Sequence, residues 1–352
     1  MATITMLGAG MMGSTLCVPM ADRGHDIRLV GTHLDREIIA GLRRDRVHVK
    51  MGQALPENIR FFDCEELPEA MDGAEALCLG VSSAGVDWAG EQTAPYVRPG
   101  LPVISVTKGL RFDGESFQFL PDVLASHWPE AVRGAVHPGA VVGPCIAGEL
   151  AHRVETCVAF VGRDGGTMRQ LADLIRTDYY HIRPSTDLVA LEVCAALKNA
   201  YALAVGFGRG INERSGRGAG SVAMHNHEAA VFAQAALEMA RFVALLGGDP
   251  WAAAGLPGVG DLFVTCQGGR TSRLGRWLGL GLDLEEAIEK MAGATLEALD
   301  IIRVIDSALP VLEAGGRLGG DELPLMRHLC DMVVRGECVG VPFASFFKRL
   351  EG

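Results

Sequence analysis

The chain lacks any cysteine pair spaced as CxxC, and its nine cysteines are odd in number. Most sit in apolar stretches such as ALCLGV and ETCVAFVG, so neither a disulfide frame nor a zinc site is implied. Buried free thiols in a reducing cytoplasm are expected. No basic segment leads into an apolar run at the N-terminus, so no signal peptide is expected. No run of about 18 apolar residues is free of charge, which argues against a membrane span. Positive charge is also short: 32 Lys and Arg against 43 Asp and Glu leave a formal charge of −11. A non-specific nucleic-acid binder would need a basic face to neutralise phosphates, so that class is set aside.

What is present is an ordinary globular composition. The 352 residues are 49% hydrophobic and 21% charged, enough for a sizeable core. At roughly 150 residues per domain, about two domains are expected. The 45 glycines show no collagen-like period and point to tight turns and close backbone approaches.

The first 30 residues read as a βαβ unit. Residues 3–7 form a short apolar strand, Gly8-Ala9-Gly10-Met11-Met12-Gly13 follows at once, and a helical stretch runs to about Arg23. A second strand begins near Asp26, and further strand-like runs cover 76–81, 102–106 and 156–161. Strands alternating with helices predict a parallel, doubly wound sheet. From about Asp187 the texture changes to long apolar-periodic segments at 187–205, 227–246, 285–292, 295–314 and 323–335. The expected division is therefore a dinucleotide-binding α/β domain over 1–186 and an all-α domain over 187–352. Between two of the helices, 206–220 (GFGRGINERSGRGAG) reads as a polar Gly/Arg-rich loop.

A GxGxxG alone says little, but this one follows a strand and opens a helix inside a unit of the right length. Its glycines permit the tight turn and bring backbone N–H groups to a pyrophosphate. The acidic residue expected at the end of the second strand is missing. Asp35 can serve the ribose of NAD, and Arg36 or His33 the 2′-phosphate of NADP, so cofactor choice stays open. Lys108 lies directly after an apolar strand, where open α/β sheets bind ligands. Lys198 sits inside an apolar helix, either snorkelling to solvent or held for chemistry. Asp261 follows a Gly pair and can equally be a helix N-cap. The segment 268–273 (GGRTSR) reads as a Gly-rich loop with donors for an anion, or as a solvated loop. His225-Asn226-His227-Glu228 has no third ligand cluster, and its two His point apart on a helix, so no metal is expected.

Taken in order, the Gly8/Gly10/Gly13 fingerprint, TKGL at 107–110, GPCIAGE at 143–149, LKN at 197–199, GVGDLFVTC at 258–266 and GGR at 268–270 resemble the NAD(P)-dependent glycerol-3-phosphate dehydrogenases. The resemblance covers nearly the whole chain. It implies a Rossmann domain followed by a helical domain, with NAD or NADP as cofactor and a small polyol or ketose phosphate as substrate. It implies Lys198 as general acid/base, Lys108 in contact with cofactor and substrate, and Asp261 beside the reacting oxygens. Gly143, Cys145, Asn199, Thr265, Arg270 and Thr271 fall at substrate positions. Met11, Met12, Ala147, Arg270 and Glu297 join the fingerprint glycines on the cofactor side. A cationic Lys198 can stabilise alkoxide charge developing on a ketone oxygen and deliver the proton.

The chain departs from the family where the substrate is gripped. Cys145 stands where a hydroxyl is usual, Thr271 where an Asn follows the arginine, and Gln234-Ala235 where an Arg-Gly pair precedes Glu238-Met239. The 206–220 segment looks about ten residues longer than expected, and its Arg209, Arg214 and Arg217 are expected to decorate a solvated loop, with an anion contact as the alternative. Glycerol 3-phosphate and dihydroxyacetone phosphate are the first substrate pair expected. Another polyol phosphate or a non-phosphorylated hydroxy compound is the alternative, and a catalytically silent cofactor-binding regulator is the reading from a different class. Apolar helical faces in the second domain make a homodimer plausible.

Overall fold

A computed structural model of the chain describes residues 1–216, 223–293 and 296–347. It divides into two compact units, Met1–Lys108 with Phe119–Leu188, and Gly109–Gln118 with Val189–Gly352. The short segment 109–118, which the sequence reading counts in the first domain, groups with the second unit.

The first unit is built on an eight-stranded sheet. In chain order its strands are β1 (Thr3–Leu7), β2 (Asp26–Val30), β3 (Ile59–Phe62), β4 (Ala76–Leu79), β5 (Val103–Ser105), β6 (Gly139–Val142), β7 (Thr156–Val161) and β8 (Tyr180–Ser185). They lie side by side in the order 8-7-6-5-4-1-2-3. This contains the 3-2-1-4-5-6 order of doubly wound dinucleotide-binding sheets. The ladders are parallel except between β6 and β7, where Ala140 pairs with Val161 and Val142 with Ala159 in antiparallel register. The chain between those strands carries only the short helix Ala147–Ala151 and returns directly instead of crossing over.

Helices cover both faces of the sheet, which is why its strands are almost continuously apolar. Along β4 the alternation is visible: Ala76 and Cys78 face one side, Leu77 and Leu79 the other. The first side packs on α1 (Met11–Asp22), α2 (Arg36–Asp45) and α5 (Gly165–Ile175) through Leu16, Ile39 and Leu171. The second packs on α3 (Val86–Thr93) and α4 (Leu120–Ser126) through Ala89, Val123 and Trp128.

The second unit is helical: α6 (Leu188–Arg214), α7 (His225–Leu245), α8 (Asp261–Cys266), α9 (Arg270–Leu280), α10 (Glu297–Ala314) and α11 (Pro324–Arg335). By length and composition α6 could cross a membrane, but 94% of its most apolar window is buried within the protein, so it is a core helix.

The expected loop at 206–220 is corrected here. Residues 206–214 continue α6, and Arg217 lies outside the described residues. Two of the glycines that suggested a loop, Gly206 and Gly210, serve a helix crossing. A Cβ on Gly206 would lie 2.6 Å from the Ser272 carbonyl oxygen, and one on Gly210 would lie 2.0 Å from that of Arg276. On the facing helix, a Cβ on Gly275 would come within 2.1 Å of the Leu203 oxygen and one on Gly279 within 2.3 Å of the Phe207 oxygen. Two Gly-x-x-x-Gly stretches thus let α6 and α9 touch backbone to backbone. That packing outweighs glycine's helix penalty of about 1 kcal/mol per residue.

Candidate functional site

In the first unit the fingerprint sits where β1 ends. Gly8 adopts a φ of +115°, and its amide donates to the Val30 carbonyl at 2.8 Å, turning the chain at once into α1. A Cβ on Gly8 would lie 2.7 Å from the carbonyl carbon of Gly80, and one on Gly13 would lie 2.1 Å from the Gly8 oxygen. Only glycine fits either place. Gly10 is the N-cap of α1, and no side chain caps it. The first-turn amides at Met11, Met12 and Gly13 are therefore not satisfied by a cap, which is the arrangement that receives a dinucleotide pyrophosphate. The residues present fit that group.

Lys108 and Gly143 also come together in this unit. β5 and β6 are parallel neighbours, so the segments after them leave the sheet side by side. Lys108 Nζ donates to the Gly143 carbonyl at 3.3 Å, and Gly143 holds a φ of +117°. Cys145 follows two residues later, half-buried against the apolar core, and Ala147 begins a short helix.

In the second unit, α6 and α8 meet at a buried ion pair. Lys198 Nζ donates to Asp261 Oδ1 at 2.5 Å and to Thr265 Oγ1 at 3.0 Å. Thr265 in turn donates its hydroxyl to the Asp261 carbonyl at 2.7 Å, which leaves its oxygen lone pairs toward the lysine. The side chains of Lys198 and Asp261 are 10% and 3% exposed. Lys198 therefore does not snorkel, and Asp261 caps no helix with its side chain. A π-helical turn at Leu256–Gly260 delivers Asp261 to the start of α8. The turn is possible because Gly258 lies against the Ala253 carbonyl, 2.0 Å from where a Cβ would be.

The neighbouring residue, Asn199, donates from Nδ2 to Glu297 Oε2 at 3.3 Å, and Arg270 Nη2 lies 3.9 Å from the other oxygen of Glu297. Lys198, Asn199, Asp261, Thr265, Arg270 and Glu297, drawn from four helices, are thus linked through adjacent positions on α6. The expected loop at 268–273 is corrected: Arg270 opens α9, and Thr271 and Ser272 are buried inside its first turn.

Two of the departures have local explanations. Gln234 donates to Glu238 Oε1 at 2.9 Å, and that buried carboxylate also accepts from the amides of Leu325 and Met326 and from the Tyr201 hydroxyl. Gln234 therefore belongs to a network that caps α11. Arg209 extends from α6 to the carbonyl of Cys266, the last residue of α8, at 3.1 Å, and lies 3.6 Å from Glu228.

Asp35 is turned inward. Its Oδ2 accepts from the Thr32 amide at 2.9 Å, the Thr32 hydroxyl at 2.8 Å and the Ala9 amide at 3.2 Å. Arg36 is exposed and paired with Glu65, and His33 rests edge-on against Trp88 at 5.4 Å. Sequence reasoning missed Gly80, whose signal is a glycine ending the strand next to β1, and it missed His48, for which no local signal exists.

Comparison with known sequences and structures agrees with the α/β N-terminal and helical C-terminal fold. Models of the NAD-dependent glycerol-3-phosphate dehydrogenase N-terminus and C-terminus match residues 3–164 and 187–339. The chain is 35% identical over 293 residues to the NADP(+)-dependent glycerol-3-phosphate dehydrogenase of Archaeoglobus fulgidus, covering 82% of this chain and 83% of that one. It is 30% identical over 323 residues to the glycerol-3-phosphate dehydrogenase [NAD(P)+] of Shouchella clausii, covering 89% and 90%. The crystal structure of glycerol-3-phosphate dehydrogenase from Coxiella burnetii shares the fold, with a TM-score of 0.79 at 23% identity over 100% of this chain and 99% of that one.

Proposed function

From the chain's membership of the NAD-dependent glycerol-3-phosphate dehydrogenase family, which it belongs to along both halves, we infer that it is an NAD(P)-dependent oxidoreductase interconverting sn-glycerol 3-phosphate and dihydroxyacetone phosphate. The observation that carries this reading is the buried Lys198–Asp261 pair with Thr265 beside it. A lysine taken into an apolar helix costs stability unless it is paired, and a protein that only bound cofactor would gain nothing from the arrangement. In the direction of ketone reduction, Lys198 holds a proton at the carbonyl oxygen, stabilises negative charge growing there and delivers that proton. Asp261 stabilises the ammonium and fixes its direction, and Thr265 orients it. Asn199 and Arg270, both held by Glu297, and Thr271 offer polar contacts to the rest of the substrate. Lys108, carried by the first unit with Gly143, Cys145 and Ala147, contributes a positive charge toward cofactor and substrate. When bound, the nicotinamide cofactor supplies or accepts the hydride. The uncapped first turn of α1, at Met11, Met12 and Gly13, holds its pyrophosphate.

NAD or NADP fits the end of β2: Asp35 accepts from Thr32 and Ala9 through Oδ2 alone, and Arg36 is exposed and paired with Glu65. The nine cysteines are thiols and not disulfides, which supports a reducing, cytoplasmic setting. The exposed apolar side chains Leu237, Trp251 and Phe263 of the second unit support self-association as a homodimer.

The test is oxidation of NADH and NADPH by purified protein. The ketones are dihydroxyacetone phosphate and a panel of three- to six-carbon keto-compounds with and without phosphate. Turnover of dihydroxyacetone phosphate that falls by about a thousandfold in Lys198→Ala is the expected result. Efficient use of a different ketone with negligible use of this one would show that Cys145 and Thr271 redirect the site.

A further inference from the structure

The fingerprint loop has a partner that no part of the motif announces. His48 is fully buried, and its Nε2 lies 3.1 Å from the carbonyl oxygen of Ala9, the residue between the first two glycines. Its other ring nitrogen, Nδ1, receives the Lys50 amide at 3.2 Å. A backbone N–H can only donate, so Nδ1 is the acceptor, the ring proton sits on Nε2, and that proton is donated to Ala9. The Ser14 hydroxyl donates to the same carbonyl at 3.0 Å, while the Ala9 amide is held by Asp35. Both faces of this one residue are therefore tied down from outside the motif.

His48 is itself held firmly. It belongs to a small hairpin, Val47–His48 with Gln53–Ala54, in the connection between α2 and β3. At its base Arg46 adopts a left-handed conformation, φ 62°, and its guanidinium donates to the carbonyls of Leu55, Pro56 and Ile59. The hairpin's turn is hooked onto α1 by the Thr15 hydroxyl, which donates to Met51 Sδ at 2.9 Å. The hairpin thus lies as a strap beside the start of α1.

We propose that His48 is a positioning residue of the dinucleotide site, acting through the Ala9 carbonyl. A peptide carbonyl swung toward a pyrophosphate would repel it, because its oxygen carries partial negative charge. With two buried donors fixed on that oxygen, the carbonyl stays turned inward while the amides of the next turn remain available to the anion. A ligand that must first reorient a peptide unit binds more weakly than one that meets the unit already set. The inference rests on the dinucleotide reading given above and deepens it.

The experiment is titration of NADPH, NADH and ADP-ribose against the unaltered protein and His48→Phe, which fills the space without a donor, with His48→Gln, whose amide restores one. We expect His48→Phe to weaken all three ligands by about tenfold, the equivalent of one hydrogen bond. Cofactor KM should rise in proportion, with kcat at saturating cofactor moving far less and the ketone KM unmoved. His48→Gln should recover most of the loss. Ser14→Ala, which removes the second donor to the same oxygen, keeps the test readable if His48→Phe does not fold, and should weaken binding by about threefold. A lowered melting temperature with cofactor Kd values within twofold of the unaltered protein would overturn the proposal and leave His48 a stabilising tie only. Failure of the unaltered protein to bind any of the three ligands would overturn the dinucleotide reading itself, and this inference with it.

Discussion

At the scale of single residues, the cost of burial decides what each group can do. The Lys198 ammonium and the Asp261 carboxylate are both withdrawn from water, so each depends on the other. Replacing Asp261 with Asn keeps the shape and leaves a positive charge facing an amide. We expect kcat to fall by about a hundredfold and stability by about 3–5 kcal/mol, read by steady-state assay and urea unfolding. A drop in activity with unchanged stability would mean that Lys198, left without Asp261, sheds its proton or reaches water at little cost. Cysteines follow the same logic. Burial pushes the thiols of Cys78, Cys266 and Cys330 up to about 12, so they stay protonated at neutral pH. Cys157 and Cys338 are exposed. Iodoacetamide at pH 8 should therefore label those two within minutes and the three buried thiols only after denaturation, as mass spectrometry of the peptides would show.

At the scale of elements, the crossing of α6 and α9 and the attachment of the segment after α11 are separately testable. Gly210→Val would force a branched side chain against the Arg276 carbonyl. Destabilisation by about 1–3 kcal/mol or more is expected from denaturant curves, against a fraction of that for Gly41→Val in α2, which meets nothing within 4 Å and has no positive φ. In α11, His328 accepts the Gly340 amide on Nε2 at 3.1 Å. Burial holds its imidazole below the ordinary 6.5, outweighing the Asp331 and Glu337 carboxylates. A histidine kept neutral in the fold contributes stability above pH 6.5 that is lost as pH falls through its lowered value, since the unfolded chain takes up the proton first. Hydrogen exchange at the Gly340 amide, corrected for intrinsic rate, should accelerate between pH 7.5 and 5.5, and His328→Leu should abolish that dependence. The elements also show where sequence reading succeeds. Long apolar periodicities placed α7, α10 and α11 within a few residues, because the burial of one face is written locally. The end of α6 was misread because Gly206 and Gly210 weaken a helix in isolation, and only the glycines of α9, distant in sequence, explain them.

At the scale of the whole molecule, distance along the chain divides what could be read from what could not. The fingerprint, Lys108 after its strand and Lys198 in its apolar helix were legible because each obeys a rule set by neighbouring residues. His48, Gly80 and the inward turn of Asp35 were not, since each acts on the Gly8–Gly13 turn from a separate stretch of chain. Dinucleotide binding should make this visible. NADPH at about 100 times its Kd adds about 2.7 kcal/mol to the unit that binds it, and amides of residues 8–22 and 46–54 should gain exchange protection together. The glycine crossing has a consequence of another kind. Lys198 lies upstream of Gly206 on one helix, and Arg270 opens the other, so lysine and arginine hang from a joint with no side chain in it. Most helix pairs can be re-spaced by trading a valine for an alanine. This one has no shim to remove, so selection for a new substrate is confined to redecorating a frame of fixed gauge. Relatives with divergent specificities should differ in the residues they hang on that frame and superpose along the joint itself.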